Sequence, residues 1–208
     1  MFHAVEAISK AVIKQEEHPR CYVIAGPNGA GKTTFALKYL PMIASCHDFI
    51  NVDEIAAGLS PLGYEAGLIQ AGKVFLDMLQ QKIAARKDFA FETTLSGRGY
   101  LPKIAQWQKD GWCVVLIYLV VPDAEFSAQR VRQRVIQGGH NIPPEDIFRR
   151  FPRSIQNLFK YAELCDQTLC FDNSGEQIVS IFEKRFGTPA IIHDHARYSI
   201  LQGALKNE

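Results

Sequence analysis

The 208-residue chain has almost no net charge and no long apolar run. Lysine and arginine total 23 against 22 aspartate and glutamate, a formal charge of +1, so the chain as a whole has no general attraction to nucleic acid or anionic membranes. The longest apolar run, residues 114–122, is too short to span a bilayer. The N-terminal segment has apolar residues at helical spacing and lacks the continuous apolar core of a signal peptide. We therefore expect a cytoplasmic protein with no membrane partner and little affinity for nucleic acid.

Cysteine usage argues against a protein held together by disulfides. The five cysteines form no C-x-x-C pair, and their number is odd. Most of them lie in apolar runs of strand length, so we interpret them as reduced core residues of a cytoplasmic protein. His193 and His195 form an H-x-H pattern without other ligand-like residues nearby, and no zinc site is expected there.

Apolar runs of strand length alternate with segments of helix length along the chain. Because the runs are apolar on both faces, they predict an α/β fold in which a five-stranded parallel sheet is covered by helices, a three-layer sandwich. We assign residues 1–187 to one domain and residues 188–208 to a C-terminal appendage. The predicted strands are residues 21–25, 48–52, 89–93, 113–121 and 168–171, and the predicted helices are residues 2–16, 32–40, 64–86, 100–110, 123–137, 144–163 and 175–185.

The segment VIAGPNGAGKTT, residues 23–34, matches G-x-x-x-x-G-K-[ST] between a predicted strand and a predicted helix. This is the P-loop pattern, in which glycines let backbone N–H groups approach phosphate oxygens and the following helix adds its positive N-terminal end. Lys32 is then expected to reach the β and γ phosphates of ATP or GTP, and the Thr33 hydroxyl to ligate Mg²⁺. The predicted nucleotide-binding residues are Gly26, Pro27, Asn28, Gly29, Ala30, Gly31, Lys32, Thr33 and Thr34.

Polar residues follow the second and third predicted strands, where a parallel sheet gathers its ligands. Asn51 and Asp53 share a face at the end of their strand, and Asp53 is a candidate general base, or a metal partner through Thr33 and water. Its alternative role is to cap a helix that begins there. Glu92 follows the third strand and is a candidate for orienting the substrate or the metal, with a solvated strand end as the alternative. Thr94 either joins that site or caps the next helix.

Positive charge is concentrated between residues 130 and 160. Seven arginines and lysines stand there against two acidic residues, a local charge of +5. Arginines at helical i,i+4 spacing repel each other, and a bound anion would relieve this repulsion. The segment GGHNIPP, residues 138–144, separates two predicted helices, so residues 130–153 resemble a lid that closes over a nucleotide and supplies charge to the transferred phosphoryl group. The alternative for any one of these arginines is an exposed basic surface.

Four motifs in order resemble the zeta toxin family of P-loop kinases, in its short single-domain branch. They are VIAGPNGAGKTT, FINVDEIA, FETTLSGRGY and the stretch from VVLIYLVVPD to RRFPRSIQNL, and the resemblance covers about residues 20 to 173. It implies a nucleoside-kinase-like fold and a kinase that uses ATP or GTP with Mg²⁺. The expected acceptor is a hydroxyl of a UDP-sugar such as UDP-N-acetylglucosamine. It also implies a toxin whose partner is an antitoxin protein that covers the nucleotide site.

The same resemblance suggests roles for individual residues. Asp53 matches the family's catalytic base, and Glu92 and Thr94 match contacts to the sugar nucleotide. Arg134 and one or more of the later lid arginines fall where phosphate-clamping arginines lie. The predicted catalytic residues are Asp53, Lys32, Arg134, Arg150 and Arg153, and the predicted substrate-binding residues are Asn51, Asp53, Glu92, Thr94 and Arg98.

Other functions remain open at this stage. A P-loop kinase of another hydroxyl, on a nucleoside, an antibiotic or an RNA end, fits the same charge pattern. A non-catalytic nucleotide-binding module that switches a partner through lid closure is a further alternative. The segment LSGRG mimics the signature loop of ABC-type ATPases, but it follows Lys32 too closely for the usual inserted subdomain.

Overall fold

The computed structural model describes residues 18–60, 64–139 and 141–205. The predicted helix at residues 2–16 lies outside these ranges, as does His140. The strands are β1 (Arg20–Ala25), β2 (Phe49–Ile50), β3 (Phe89–Thr93), β4 (Cys113–Val120), β5 (Gln167–Asp172), β6 (Val179–Arg185) and β7 (Ile191–Ile192). The helices are α1 (Lys32–Ala44), α2 (Val52–Leu59), α3 (Tyr64–Ala85), α4 (Leu101–Lys109), α5 (Ala124–Ile136), α6 (Pro144–Ala162) and α7 (His195–Gly203).

The seven strands form one sheet in the order β2-β3-β1-β4-β5-β6-β7. β1 to β5 are parallel, which confirms the predicted α/β fold with its five parallel strands, while β6 and β7 add an antiparallel edge. All of β1 is buried, because it lies at the centre of the sheet with helices on both faces. After β1 the chain forms β2 and β3 on one side of β1, and then β4 and β5 on the other side. The end of β1 is therefore the point where an open α/β sheet binds ligands.

Two main hydrophobic clusters cover the two faces of the sheet. One holds an aromatic group around Phe89, Phe91 and Trp107, and the other packs Phe35 and Leu40 of α1 against the sheet. A third, small cluster joins α5 to α6 through Ala128, Val131, Ile142 and Ile147. The two predicted lid helices therefore share an apolar contact of their own, apart from the main core.

Residues 175–185, predicted as a helix, contain strand β6, and this prediction was wrong. Ile178, Ile181 and Phe182 have the i,i+3,i+4 spacing of a helix face, which explains the error. In the structure a β-bulge opposite Cys170 and Phe171 shifts the register and lets the consecutive residues Ile181 and Phe182 both be buried.

Residues 188–208, set apart above as an appendage, contribute to the same sheet as far as residue 205. Strand β7 pairs with β6, and α7 places Leu201 in the core at 5% exposure. Tyr198 packs against Phe182 with ring centroids 5.2 Å apart. Among the described residues, no helix is long and apolar enough to cross a membrane.

Candidate active site

The P-loop connects β1 to α1 with three glycines in left-handed backbone conformations. A β-carbon on Gly26 would lie 2.2 Å from the Leu119 carbonyl oxygen, and one on Gly29 would lie 2.7 Å from that of Ser127. Gly31 precedes α1 at φ 79°, where a β-carbon would meet the Asn173 amide at 2.6 Å. Side chains at these positions would collide with fixed neighbours, so the loop needs glycine to hold its curled path.

Lys32 begins α1 and is buried, at 8% exposure. Its Nζ donates to the Pro27 carbonyl within the loop at 3.0 Å. Burial lowers the pKa of Lys32, while the charges of Glu92 and Asp53 act in the opposite direction. The ammonium group is thus held at the centre of the loop, close enough to two carboxylates to be influenced by both.

Thr33 links three parts of the site through its hydroxyl. It donates to Glu92 Oε2 at 2.7 Å and accepts from the Asn51 amide at 3.3 Å. The structure therefore brings together the ends of β2 and β3 with the start of α1. Burial raises the pKa of Glu92, although Lys32 and the Thr33 hydroxyl stabilise its charged form.

Asn51 and Asp53 occupy the start of a helix, the alternative considered above, but the cap of this helix is Asn51 and not Asp53. β2 ends at Ile50, and the Asn51 side chain caps α2 by accepting from the Asp53 backbone N–H at 2.8 Å. The expectation that the two residues share a strand face is therefore wrong. Because Asn51 is the cap, the Asp53 carboxylate is not needed for capping, and it lines the cavity described below.

The loop after β3 is fastened to α6. Ser154 donates to the Thr94 carbonyl at 2.6 Å, and Asn157 donates to that of Leu95 at 2.8 Å. Thr94, predicted to bind the substrate, lines the cavity. Arg98 is placed outside it, with its Nε donating to Asn157 at 3.2 Å. Its position thus gives the predicted substrate contact no support.

The predicted lid arginines have different partners. Arg130 donates to the carbonyls of Asn173 at 2.7 Å and Ser174 at 3.0 Å, so it fastens α5 to the end of β5. Asp146 binds both Arg149 and Arg150, the latter at 3.0 Å. The hydrogen bond from Arg149 and the charge of Arg150 lower the pKa of Asp146.

These contacts change the predicted role of charge in the lid. A bound anion was expected to relieve the repulsion among these arginines, but carbonyls and one carboxylate of the protein already pair with three of them. Arg130, Arg134 and Arg150 line the cavity, whereas Arg153 does not. The position of Arg153 thus gives its predicted catalytic role no support.

Asn173 is a site residue that the sequence reasoning missed. It follows β5, donates to the Ala30 carbonyl of the P-loop at 2.8 Å, and lines the cavity. The rule applied to β2 and β3, that polar residues just past a strand face the same ligand, points equally to the sequence FDNS after β5. The signal was present and was not used.

All these elements border one cavity of about 910 Å³ at the carboxyl end of the parallel strands. This volume lies in the range of small-molecule sites. Two observations fit a nucleotide with Mg²⁺. The glycine positions form a cradle that a β-carbon would obstruct, and Thr33 and Glu92 provide the oxygen ligands that Mg²⁺ prefers.

Comparisons with known proteins show the fold. No family model matches the chain. An uncharacterized protein of Haemophilus influenzae is 29% identical over 124 residues, covering 60% of this chain and 86% of that protein. The crystal structure of AvrRxo1-ORF1:-ORF2 with ATP has a TM-score of 0.68 at 16% identity, over 96% of this chain and 68% of that chain. A structure from the PezAT chromosomal toxin-antitoxin system of Streptococcus pneumoniae has a TM-score of 0.58 at 15% identity, over 98% and 92%. The chain has the fold of the P-loop kinases.

Proposed function

We propose that this protein is a phosphotransferase of the zeta toxin type, which transfers the γ-phosphoryl group of ATP or GTP to a hydroxyl of a UDP-sugar such as UDP-N-acetylglucosamine. One observation carries the proposal: Lys32, Thr33, Asp53 and Glu92 meet in a single cavity beneath helices that contribute three arginines. A nucleotide-binding loop alone would not need two carboxylates beside it. Phosphoryl transfer needs a donor site, an acceptor base and lid charge together.

The donor phosphates are assigned to the P-loop. Its backbone N–H groups and the N-terminus of α1 face the position where phosphates bind in this fold. On nucleotide binding, Lys32 exchanges its hydrogen bond with the Pro27 carbonyl for one with a phosphate oxygen. Arg134 and Arg150, which line the opposite side of the cavity, neutralise charge on the γ-phosphoryl group.

The acceptor is assigned to the carboxylates that follow β2 and β3. Asp53 accepts the proton of the attacking hydroxyl, which requires the carboxylate to be ionised. Glu92 orients Thr33 through their 2.7 Å hydrogen bond and, with Thr94, faces the acceptor. A bound Mg²⁺, held by the Thr33 hydroxyl and by Glu92, would neutralise phosphate charge. Asn51 holds Asp53 in place by capping α2.

The UDP-sugar and the antitoxin are proposed from similarity. The motifs resemble the zeta toxin family, and two structures with similar folds are AvrRxo1-ORF1:-ORF2 with ATP and a structure from the PezAT toxin-antitoxin system. We extend this to a partner protein that covers the nucleotide site of the present chain. We propose that the reaction takes place in the cytoplasm, where its nucleotide donor is available.

A phosphate-transfer assay tests the proposal. The full chain is incubated with labelled ATP or GTP, Mg²⁺ and a panel of UDP-sugars, nucleosides, antibiotics and RNA ends. We expect label on a UDP-sugar with wild type and none with Lys32→Ala. Label on a different acceptor would support the kinase activity and contradict a UDP-sugar as its acceptor. Nucleotide binding without transfer to any acceptor would favour a nucleotide-dependent switch and overturn the proposed activity.

A further inference from the structure

The order of the strands divides the cavity into two halves that differ in charge. β2 and β3 lie on one side of the P-loop strand β1, and β4 and β5 lie on the other. The β4/β5 half, lined by α5, α6 and the end of β5, contains Arg130, Arg134 and Arg150. The β2/β3 half, lined by α2, α3 and the end of β3, contains Asp53 and Glu92. Among the described residues that line the β2/β3 half, none is lysine or arginine.

The β2/β3 half also presents an apolar wall to the cavity. We call it the α3 wall, and it consists of Val52, Leu68, Phe75, Leu76 and Tyr100 around Gly72. Leu68 and Leu76 are 39% and 42% exposed, so the wall leaves leucine side chains in contact with solvent inside a cavity. A ligand that covers apolar surface in a concave site removes that surface from water, which favours binding.

The α3 wall is rigidly supported from behind. Phe75 packs edge-on against Phe91 at 5.9 Å between ring centroids, and Phe91 contacts Tyr100 at 5.1 Å. Phe75 and Phe91 belong to the same main hydrophobic cluster as Trp107, and Tyr100 packs against this cluster. The wall is therefore backed by a packed aromatic core.

Gly72 leaves a gap in the middle of the wall. It lies inside α3, and a β-carbon built there would meet no atom within 4 Å. Glycine inside a helix lowers helix stability by about 1 kcal/mol relative to alanine. The presence of glycine at position 72 therefore needs an explanation other than helix stability. No backbone strain or close packing of the described residues requires glycine at this position, and the open space beside it belongs to the cavity.

We infer that the α3 wall binds the uncharged, apolar face of a hydroxyl-bearing ring, a sugar or nucleoside ring of the acceptor, and that Gly72 sets the size of that ring. This inference rests on the proposed function and specifies its acceptor. The ring lies on the wall with its hydroxyls directed to Asp53 and Glu92. Any phosphate of the acceptor must reach the arginines of the β4/β5 half, because the wall offers it no cation.

A matched pair of glycine substitutions tests the inference. Gly72→Leu fills the gap, and Gly58→Leu makes the same change on α2, where a β-carbon also meets nothing within 4 Å and the residue does not line the cavity. Both changes raise helix propensity, so both variants should melt no lower than wild type. Isothermal titration with ATP and Mg²⁺ should give the same affinity for all three proteins.

Ring binding is measured by saturation-transfer NMR with uridine and with N-acetylglucosamine as neutral probes. We expect at least one probe to bind wild type and Gly58→Leu alike, and to bind Gly72→Leu about tenfold or more weakly, because the four added side-chain carbons occupy its place. Equal binding to Gly72→Leu, or no binding of either ring to wild type, would overturn the inference. The two proposals can fail separately. If Gly72→Leu loses ring binding but the wild-type protein transfers phosphate to no acceptor, the ring site is supported and the phosphotransferase activity is contradicted.

Discussion

The two halves of the cavity hold their charged groups in different ways. In the β4/β5 half, Arg130 and Arg150 project from α5 and α6, which share a separate apolar cluster, and each is already paired with a carbonyl or a carboxylate. In the β2/β3 half, Glu92 stands at the end of a buried strand, and Asp53 lies in the first turn of a capped helix. One half has charges on two helices that pack together outside the main core, each charge paired with a group of the protein. The other has groups that are fixed before a ligand arrives.

This contrast follows from what each half must do in the proposed reaction. A phosphoryl group in transfer carries spread negative charge, and in the proposed reaction the cavity arginines exchange their present partners for it. An acceptor hydroxyl needs a base at a defined place, which a rigid strand end and a helix start supply. Lys32 lies between the halves and is influenced by both: burial lowers its pKa, the charges of Glu92 and Asp53 oppose that shift, and the charge of Arg134 adds to it.

Loss of the shared lysine should have the largest effect. We expect Lys32→Ala to reduce phosphoryl transfer by about three orders of magnitude, because it removes a buried charge from the donor site. Lys38→Ala, an exposed lysine on the same helix, should keep the wild-type rate. A Lys32→Ala protein with more than a tenth of the wild-type rate would show that the P-loop does not serve the reaction as proposed. The measurement is initial rate with labelled ATP.

Removal of the Asp53 carboxylate should impair phosphoryl transfer without changing nucleotide binding. Asp53→Ala should lower kcat by about 10²- to 10⁴-fold and leave the affinity for ATP within twofold, because the carboxylate acts on the acceptor. Glu54→Ala, an exposed acidic residue in the same helical turn, is the matched control and should change neither value. Transfer by Asp53→Ala at the wild-type rate would contradict the assignment of the base.

A smaller effect is expected from the lid. Arg149 and Arg150 both bind Asp146, but only Arg150 lines the cavity. Arg150→Met should therefore lower kcat/KM by about 10- to 100-fold, the value of a charge-assisted hydrogen bond, whereas Arg149→Met should stay within twofold. Equal losses in the two variants would mean that the Asp146 pairing, and not contact with phosphate, explains the effect. Steady-state kinetics with varied ATP distinguishes these outcomes.

The sequence predicts the P-loop well because its geometry is local. The glycine spacing, the lysine and the following helix all lie within residues 26–44, and the structure shows the expected turn with Gly31 at φ 79°. The placement of Asp53 and Glu92 near Lys32 also follows, because parallel strands end at one edge of the sheet. These conclusions need only the order of strands and the direction of the chain.

Features that depend on distant pairings were not predictable in the same way. β6 is a strand because the edge of β5 offers its backbone groups a partner, and the hydrophobic spacing alone fits a helix equally well. The pairing of Arg130 with the carbonyls of residues 173 and 174 spans more than 40 positions. The α3 wall combines residues of α2, α3 and the loop after β3, and no local pattern marks Gly72 as part of it.

The smallest expected effect concerns the stability cost of Glu92. Burial raises its pKa above the ordinary 4.5 even though Lys32 and Thr33 favour the charged form. The folded state therefore holds this proton more tightly than the unfolded state, and stability falls as the pH rises from about 4.5 through the raised pKa. Glu92→Gln removes the charge and can keep the hydrogen bond from Thr33, so it should unfold at a temperature about 2–4 °C higher than wild type at pH 7.5. At pH 4, where most of Glu92 is protonated in both states, the difference between the two melting temperatures should be much smaller. A Glu92→Gln protein that melts below wild type at pH 7.5 would mean that the charged carboxylate stabilises the fold. The charge of Glu92 in the β2/β3 half would then not lower the stability of the protein.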